Sequence, residues 1–293
     1  MNILSMNHDM LDSIRLLDRD CFNLGNFCRT KENLTELINI NPDGCFVATL
    51  GNEIVGYLFS RVMGNAGFIG PVGVRPDMQS RGIGKAIVKA GCVALKNGGC
   101  TAIGLEVLPD SSRNIGLYQK LGFVFGFSTI AYRKNESYVF YESKQVVNGK
   151  EIDFGHIRAF DKVLREEQNG YSLIRDIELA LSHSGSSIFF FKENDFMVGF
   201  LCYSPIISPY VWGAFLKRSN QKFIFEALFS YIEKATQKRE LIIRINSRYK
   251  NAVSMIDSSF KVDKCLVRMM LDGYFGEFMS LDTKSFVAHS WVG

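Results

Sequence analysis

No cysteine pair, no histidine cluster and no block of like charge marks this chain of 293 residues. Its seven cysteines, at positions 21, 28, 45, 92, 100, 202 and 265, include no C-x-x-C and none spaced with a histidine as metal ligands are. Scattered thiols in odd number point to reduced cysteines in a cytoplasmic protein, and no metal is expected. His8, His156, His183 and His289 read as ordinary surface or core residues. The 34 lysines and arginines stand against 30 acidic residues, a net charge of +4. That balance argues for neither a nucleic-acid nor a membrane partner. Met1-Asn2-Ile3-Leu4-Ser5 lacks the basic region and long apolar stretch of a signal peptide. One run, residues 197–216, has 20 positions without a charge, but Pro205 and Pro209 interrupt it. Two buried strands around a proline turn fit it better than a membrane helix.

What the chain does have is apolar material, 47% of it hydrophobic with 24 phenylalanines, enough for one large core or two ordinary ones. Residues 2–6 read as a strand, and Met10, Leu11, Ile14 and Leu17 mark one face of a helix. Thr30 can cap a second helix with Glu32 in its first turn and Leu34, Leu37 and Ile38 inside. Strands at 45–50 and 53–60 flank Gly51-Asn52, a hairpin signal, and 68–74 reads as a third. A helix over 83–95 is stopped by Gly98-Gly99, and a strand over 102–108 should run parallel to its predecessor. A helix over 113–121 and a strand-like run over 123–133 complete this half.

The polar stretch 134–150, with Asn148-Gly149, sets a domain boundary and gives expected domains 1–140 and 141–293. The second half repeats the order: helices at 154–167 and 171–181, strands at 188–192, 197–203 and 210–216, a helix at 221–234, a strand at 241–245, a helix at 251–256 and a strand at 260–271. An offset of 137 residues lays Asn114-Ile115-Gly116 on Asn251-Ala252-Val253 and Phe123 on Phe260. The expectation is an internal duplication. Its second copy would carry Ser219 for Gly82, Gln221 for Gly84 and Met255 for Tyr118.

The informative stretch is Gln79-Ser80-Arg81-Gly82-Ile83-Gly84, which joins a strand ending in Val72-Gly73-Val74 to the next helix. Alternate glycines at a helix N-terminus let backbone N–H groups approach phosphate oxygens. A dinucleotide fingerprint fails because Ile87 stands where its third glycine belongs. A P-loop fails because Gln79 and Ala86 replace its glycine and its hydroxyl residue.

The Q-x-x-G-x-G pattern after a V-x-V strand resembles the pyrophosphate motif of the GNAT superfamily of N-acetyltransferases. Leu105-Glu106-Val107 and Leu117-Tyr118-Gln119-Lys120-Leu121-Gly122-Phe123 follow at the separation that family shows. Gly70-Pro71-Val72-Gly73-Val74 with a degenerate second copy is similar to the two-domain YitH-like branch. The resemblance implies an α+β (mixed α/β) fold of two tandem domains. Each would be a mixed, mostly antiparallel sheet with splayed parallel central strands, flanked by helices.

It implies acetyl-CoA as co-substrate, with its pyrophosphate on Gln79, Ser80, Arg81, Gly82, Ile83, Gly84 and Lys85 and its pantetheine along Val72, Gly73 and Val74. An extended amide-bearing arm can add to an exposed strand edge as peptides do. Arg75, Arg81, Lys85 and Lys89 could meet phosphate charge, or could form a solvated basic face. Acyl transfer to an amine requires a neutral amine, against an ammonium pKa of about 10.4. It also requires donors for the oxyanion and a proton for the leaving thiolate. The resemblance assigns the oxyanion to a backbone N–H near Val72 and the proton to Tyr118, and makes Glu106 the candidate base. A carboxylate paired near a strand end is the other reading of Glu106. The family's usual Asn is Ser111 here, and Asn114 stands where alanine is common. Both are expected beside the cofactor, with Ser111 still able to cap the helix.

The leading expectation is an acetyl-CoA-dependent N-acetyltransferase acting on a primary amine, of a small molecule before a peptide or protein. It would work in the first domain, with the second as architecture or as a wall on the acceptor side. The rival of another class is an acyl-CoA-sensing protein without turnover, which would not need the tyrosine.

Overall fold

In the computed structural model, all residues are described except 23–28, 141, 219, 239, 277, 283, 284 and 290–293, so Cys28 and Ser219 lie outside the described residues. Apolar spacing and local caps build the first half. It runs β1 (Asn2–Ser5), α1 (Leu11–Phe22), α2 (Lys31–Ile40), β2 (Phe46–Leu50), β3 (Glu53–Met63), β4 (Ala66–Val74), α3 (Ile83–Asn97), β5 (Ala102–Val107), α4 (Ser112–Gln119) and β6 (Phe123–Phe125). Thr30 caps α2 reciprocally: the Asn33 N–H donates to Thr30 Oγ1 at 3.2 Å and the Thr30 N–H to Asn33 Oδ1 at 3.0 Å.

The order β1-β2-β3-β4-β5 is antiparallel except for its last pair. Leu11, Ile14 and Leu17 of α1 and Leu34, Leu37 and Ile38 of α2 form a core with Val47, Tyr57 and Phe59 of the sheet. Ile83, Ile87, Val88 and Leu95 are the buried face of α3. Burying such side chains contributes about 1.5–3 kcal/mol each.

The parallel pair is short. Ala66, Gly67 and Phe68 of β4 pair with Ala102, Ile103 and Gly104 of β5, and the register ends there. Opposite β3, two residues of β4, Gly70 and Pro71, stand against one, because Leu58 pairs with Val72 and Ser60 with Ile69. A bulge therefore bends β4 where it leaves β5. Past it the two strands splay apart, as the expected fold requires.

The second half runs β7 (Thr129–Lys134), β8 (Val146–Asn148), α5 (Phe154–Glu167), α6 (Ile174–Ser182), β9 (Ser187–Glu193), β10 (Phe196–Ser204), β11 (Ser208–Phe215), α7 (Gln221–Thr236), β12 (Ile242–Asn246), α8 (Lys250–Met255), β13 (Phe260–Phe275) and β14 (Phe286–Ala288). The uncharged run 197–216 supplies β10 and β11, and no helix among the described residues is long and apolar enough to cross a membrane. Here the order is β7-β12-β11-β10-β9-β8, with Phe260–Leu266 of β13 beside β7.

The chain divides into two compact units: residues 1–125 with Met269–Phe275, and residues 126–268 with 276–290. The strand-like run 123–133 is thus broken at 126–128. β6 stays in the first unit, where it pairs with Met269–Leu271, and β7 enters the second.

Candidate active site

The strand that ends at Val74 sets the direction of its backbone groups. The Arg75 N–H donates to Val55 O of β3 at 2.9 Å. In an antiparallel pair alternate residues face the partner, so Gly73 turns its N–H and C=O to β3, and Val72 and Val74 turn theirs to the splay. Gly73 has no room for a side chain, because a Cβ there would overlap the Tyr57 ring. Behind it the buried Tyr57 hydroxyl donates to Asp18, which also accepts from Arg29 Nη1 at 2.7 Å.

A short 3-10 turn, Pro76–Met78, follows the strand. The Gln79 N–H closes it onto Pro76 O at 3.4 Å, and the Gln79 side chain turns back, Nε2 donating to Val74 O at 2.9 Å. Arg113, at the start of α4, donates from Nη1 to Gln79 Oε1 at 2.6 Å and from Nη2 to Ser80 Oγ at 2.7 Å. Ser80 and Gly82 are left-handed, with φ of 65° and 84°. For Gly82 this conformation is the requirement, since a Cβ there would meet nothing within 4 Å. A Cβ on Gly84 would make only ordinary contact, 3.4 Å from Leu117 Cδ2, so the fold itself does not demand that glycine.

The first helical bond of α3 runs from the Ala86 N–H to Gly82 O at 3.0 Å, so the N–H groups of Gly82, Ile83, Gly84 and Lys85 point out of the helix end. Of the residues expected to meet the pyrophosphate, Gln79 has its N–H engaged in the turn, and residues 82–85 have theirs at the open helix end. Arg75 is also engaged elsewhere, with Asp77 at 2.8 Å and Glu53 at 3.0 Å, and these bonds raise its pKa. Arg81, Lys85 and Lys89 are exposed.

Tyr118 lies on α4 with its ring edge-on to Phe123 at 5.8 Å, and burial pushes its phenol up to about 12. Glu106 is 8% exposed, on the part of β5 beyond the last pair with β4. By register it stands in the splay, on the strand facing the one that carries Val72 and Val74. Ser111 holds the N-cap position of α4, but its hydroxyl makes no capping bond; the helix starts on its carbonyl, which accepts the Ile115 N–H at 3.0 Å. Its φ of −84° and ψ of 63° depart from the extended backbone from which a cap hydroxyl reaches forward. Asn114 is exposed on the first turn. Among the described residues no group of three His, Cys, Asp or Glu could hold a metal ion.

The second unit has the same strand end in a different state. The Leu216 N–H donates to Val198 O at 2.9 Å as Arg75 does to Val55, which aligns Gly213–Phe215 with Val72–Val74. Five residues, 216–220, then lead to α7, where eight, 75–82, lead to α3. The offset of 137 residues therefore fails inside the loop: Asn220, with φ of −107°, stands before α7 where Gly82 stands before α3. β11 and β12 pair at a single position, Val211 with Ile243, and then β14 lies on β11. Gly213, Ala214 and Phe215 pair with Ala288, Val287 and Phe286. Phe286 stacks on Phe215 with centroids 4.5 Å apart. Gln168 Nε2 holds the segment through Ser285 Oγ at 2.7 Å and Asp282 Oδ2 at 2.6 Å.

A family model described as acetyltransferase (GNAT) family matches residues 11–123. An acetyltransferase of Pectobacterium atrosepticum is 30% identical over 123 residues, covering 42% of this chain and 87% of that protein. Mycothiol acetyltransferase of Streptomyces coelicolor is 32% identical over 95 residues, so the match covers 32% of this chain and 31% of that enzyme's length. A solved structure from Pyrococcus horikoshii, assigned as an acetyltransferase, aligns with a TM-score of 0.74 over 96% of this chain and 92% of that one, at 20% identity. That likeness is one of fold, and it extends through both units.

Proposed function

We propose that this chain, which belongs to the GNAT family of acetyltransferases, transfers the acetyl group of acetyl-CoA to a primary amine of a small molecule, and does so in its first unit. The observation that carries the reading is the continuity of three parts in that unit. The outward backbone of Val72 and Val74 borders a splay, an anion cradle follows at once, and α4 with Tyr118 packs on that cradle through Leu117. A pantetheine arm needs the first, a pyrophosphate the second and a leaving thiolate the third.

In this reaction the ammonium first gives one proton to water held by Glu106. The neutral nitrogen attacks the thioester carbon, and the C–N bond forms while the carbonyl oxygen takes the negative charge near the Val72 N–H. Collapse breaks the C–S bond, the Tyr118 hydroxyl supplies the proton to sulfur, the amide nitrogen loses its second proton to solvent, and solvent returns a proton to the Tyr118 phenolate. Sulfur ends as a thiol and no oxidant is involved. A small-molecule acceptor is favoured by the name of one relative, mycothiol acetyltransferase.

The second unit acts in this reading as architecture. Its support is β14, which lies along the strand edge corresponding to Val72–Val74, and the five-residue connection without glycine. A panel of amines mixed with protein and acetyl-CoA tests the proposal by release of free thiol. Thiol released in step with an acetylated amine is expected; acetyl-CoA bound tightly but never turned over by any amine would favour a sensor.

A further inference from the structure

We propose that Arg113 is a positioning residue for acetyl-CoA: it holds the phosphate loop in its receiving shape and ties that loop to the helix of Tyr118. The inference rests on reading the loop as the pyrophosphate site. Three observations converge on this side chain. Its guanidinium uses both arms of its fork on adjacent loop residues, Nη1 on Gln79 Oε1 at 2.6 Å and Nη2 on Ser80 Oγ at 2.7 Å. Gln79 passes the connection on, since its Nε2 donates to Val74 O at 2.9 Å. One line of hydrogen bonds thus runs from the first turn of α4, through the loop, to the end of the strand that borders the splay.

Ser80 gives the second reason. At φ of 65° it holds a left-handed conformation that side-chain-bearing residues disfavour, and such a conformation persists only where its surroundings fix it. The bond from Arg113 is a charge-assisted fixing of that residue. The third reason is charge. Both acceptors of Arg113 are neutral groups, so these bonds leave its positive charge uncancelled on the loop that leads into the helix end at residues 82–85. Lysine could not replace it, because a single ammonium does not present two parallel donors.

Arg113 and Tyr118 share α4, so one short helix sets both the loop and the acid. Loss of Arg113 should loosen the loop before ligand arrives, and so lower affinity for acetyl-CoA. Once bound, the ligand itself orders the loop, and turnover at saturation should change little.

The experiment is a binding titration of acetyl-CoA and of acetylpantetheine, which lacks the pyrophosphate, against the wild-type chain and three variants. Arg113→Ala is expected to weaken acetyl-CoA by about tenfold, the loss of two charge-assisted bonds, and to leave acetylpantetheine unchanged. Arg113→Lys should recover less than half of that loss. Ser80→Gly added to Arg113→Ala should recover part of it, because glycine takes a positive φ unaided. Equal affinity of wild type and Arg113→Ala for acetyl-CoA would overturn the inference, as would equal losses for both ligands or no recovery with Ser80→Gly. A wild-type chain that binds no acetyl-CoA at all would overturn the reading of the loop instead.

Discussion

A phenol pushed up to about 12 by burial, as that of Tyr118 is, keeps its proton across the range in which an amine nucleophile is freed of its own. The two demands of the reaction therefore do not compete. A nucleophile with a pKa of about 10.4 becomes more reactive as pH rises, while the acid stays loaded until its own pKa is approached. The expected profile of kcat/KM climbs from pH 6 to about 10 with no descending limb from the acid in that range. Tyr118→Phe should lower kcat by about a hundredfold with an unchanged affinity for acetyl-CoA. A variant as fast as wild type with its acceptor would remove Tyr118 from the chemistry. Gly84 separates ligand from fold at the same scale. Its backbone is not left-handed and an added Cβ has ordinary contacts, so Gly84→Ala should keep its melting temperature and weaken CoA by tenfold or more, about 1.4 kcal/mol.

At the scale of elements, β14 carries the difference between the two units. Phe286 is 1% exposed and stacks on Phe215 in the strand edge that corresponds to Val72–Val74. Phe286→Ala should cost about 3 kcal/mol of stability, read by denaturant unfolding, and leave CoA affinity in the first unit unchanged. A loss of CoA binding by this variant in its folded state would mean that the second unit is more than architecture. Element positions were largely legible in the sequence, because period and caps are local: α5 has the bounds its spacing gave, and Thr30 caps α2 as its position suggested. The non-local features were not legible. Arg113 meets Gln79 across 34 residues, and neither residue carries a pattern that announces the other. The bulge that puts Gly70 and Pro71 against one residue of β3 is visible only in the pairing. The shortened loop of the second unit defeated a fixed offset, since alignment of strand end and helix start requires a gap between them.

For the whole molecule, the division of the chain follows strand pairing rather than sequence order. Residues 126–134 go with the second unit and Met269–Phe275 return to the first, so composition around residues 134–150 describes a polar stretch more than a cut between folds. The first unit holds the outward strand edge, the cradle and Tyr118, and in the second the corresponding edge pairs with β14. The central claim is thus one working acetyl-CoA site per chain, built by the loop after β4. Calorimetric titration of the full chain with CoA tests it most directly. The account predicts one CoA bound per chain, and binding at least tenfold weaker in Gly84→Ala with the fold intact. Two CoA molecules per chain, or one that binds Gly84→Ala as tightly as wild type, would contradict it.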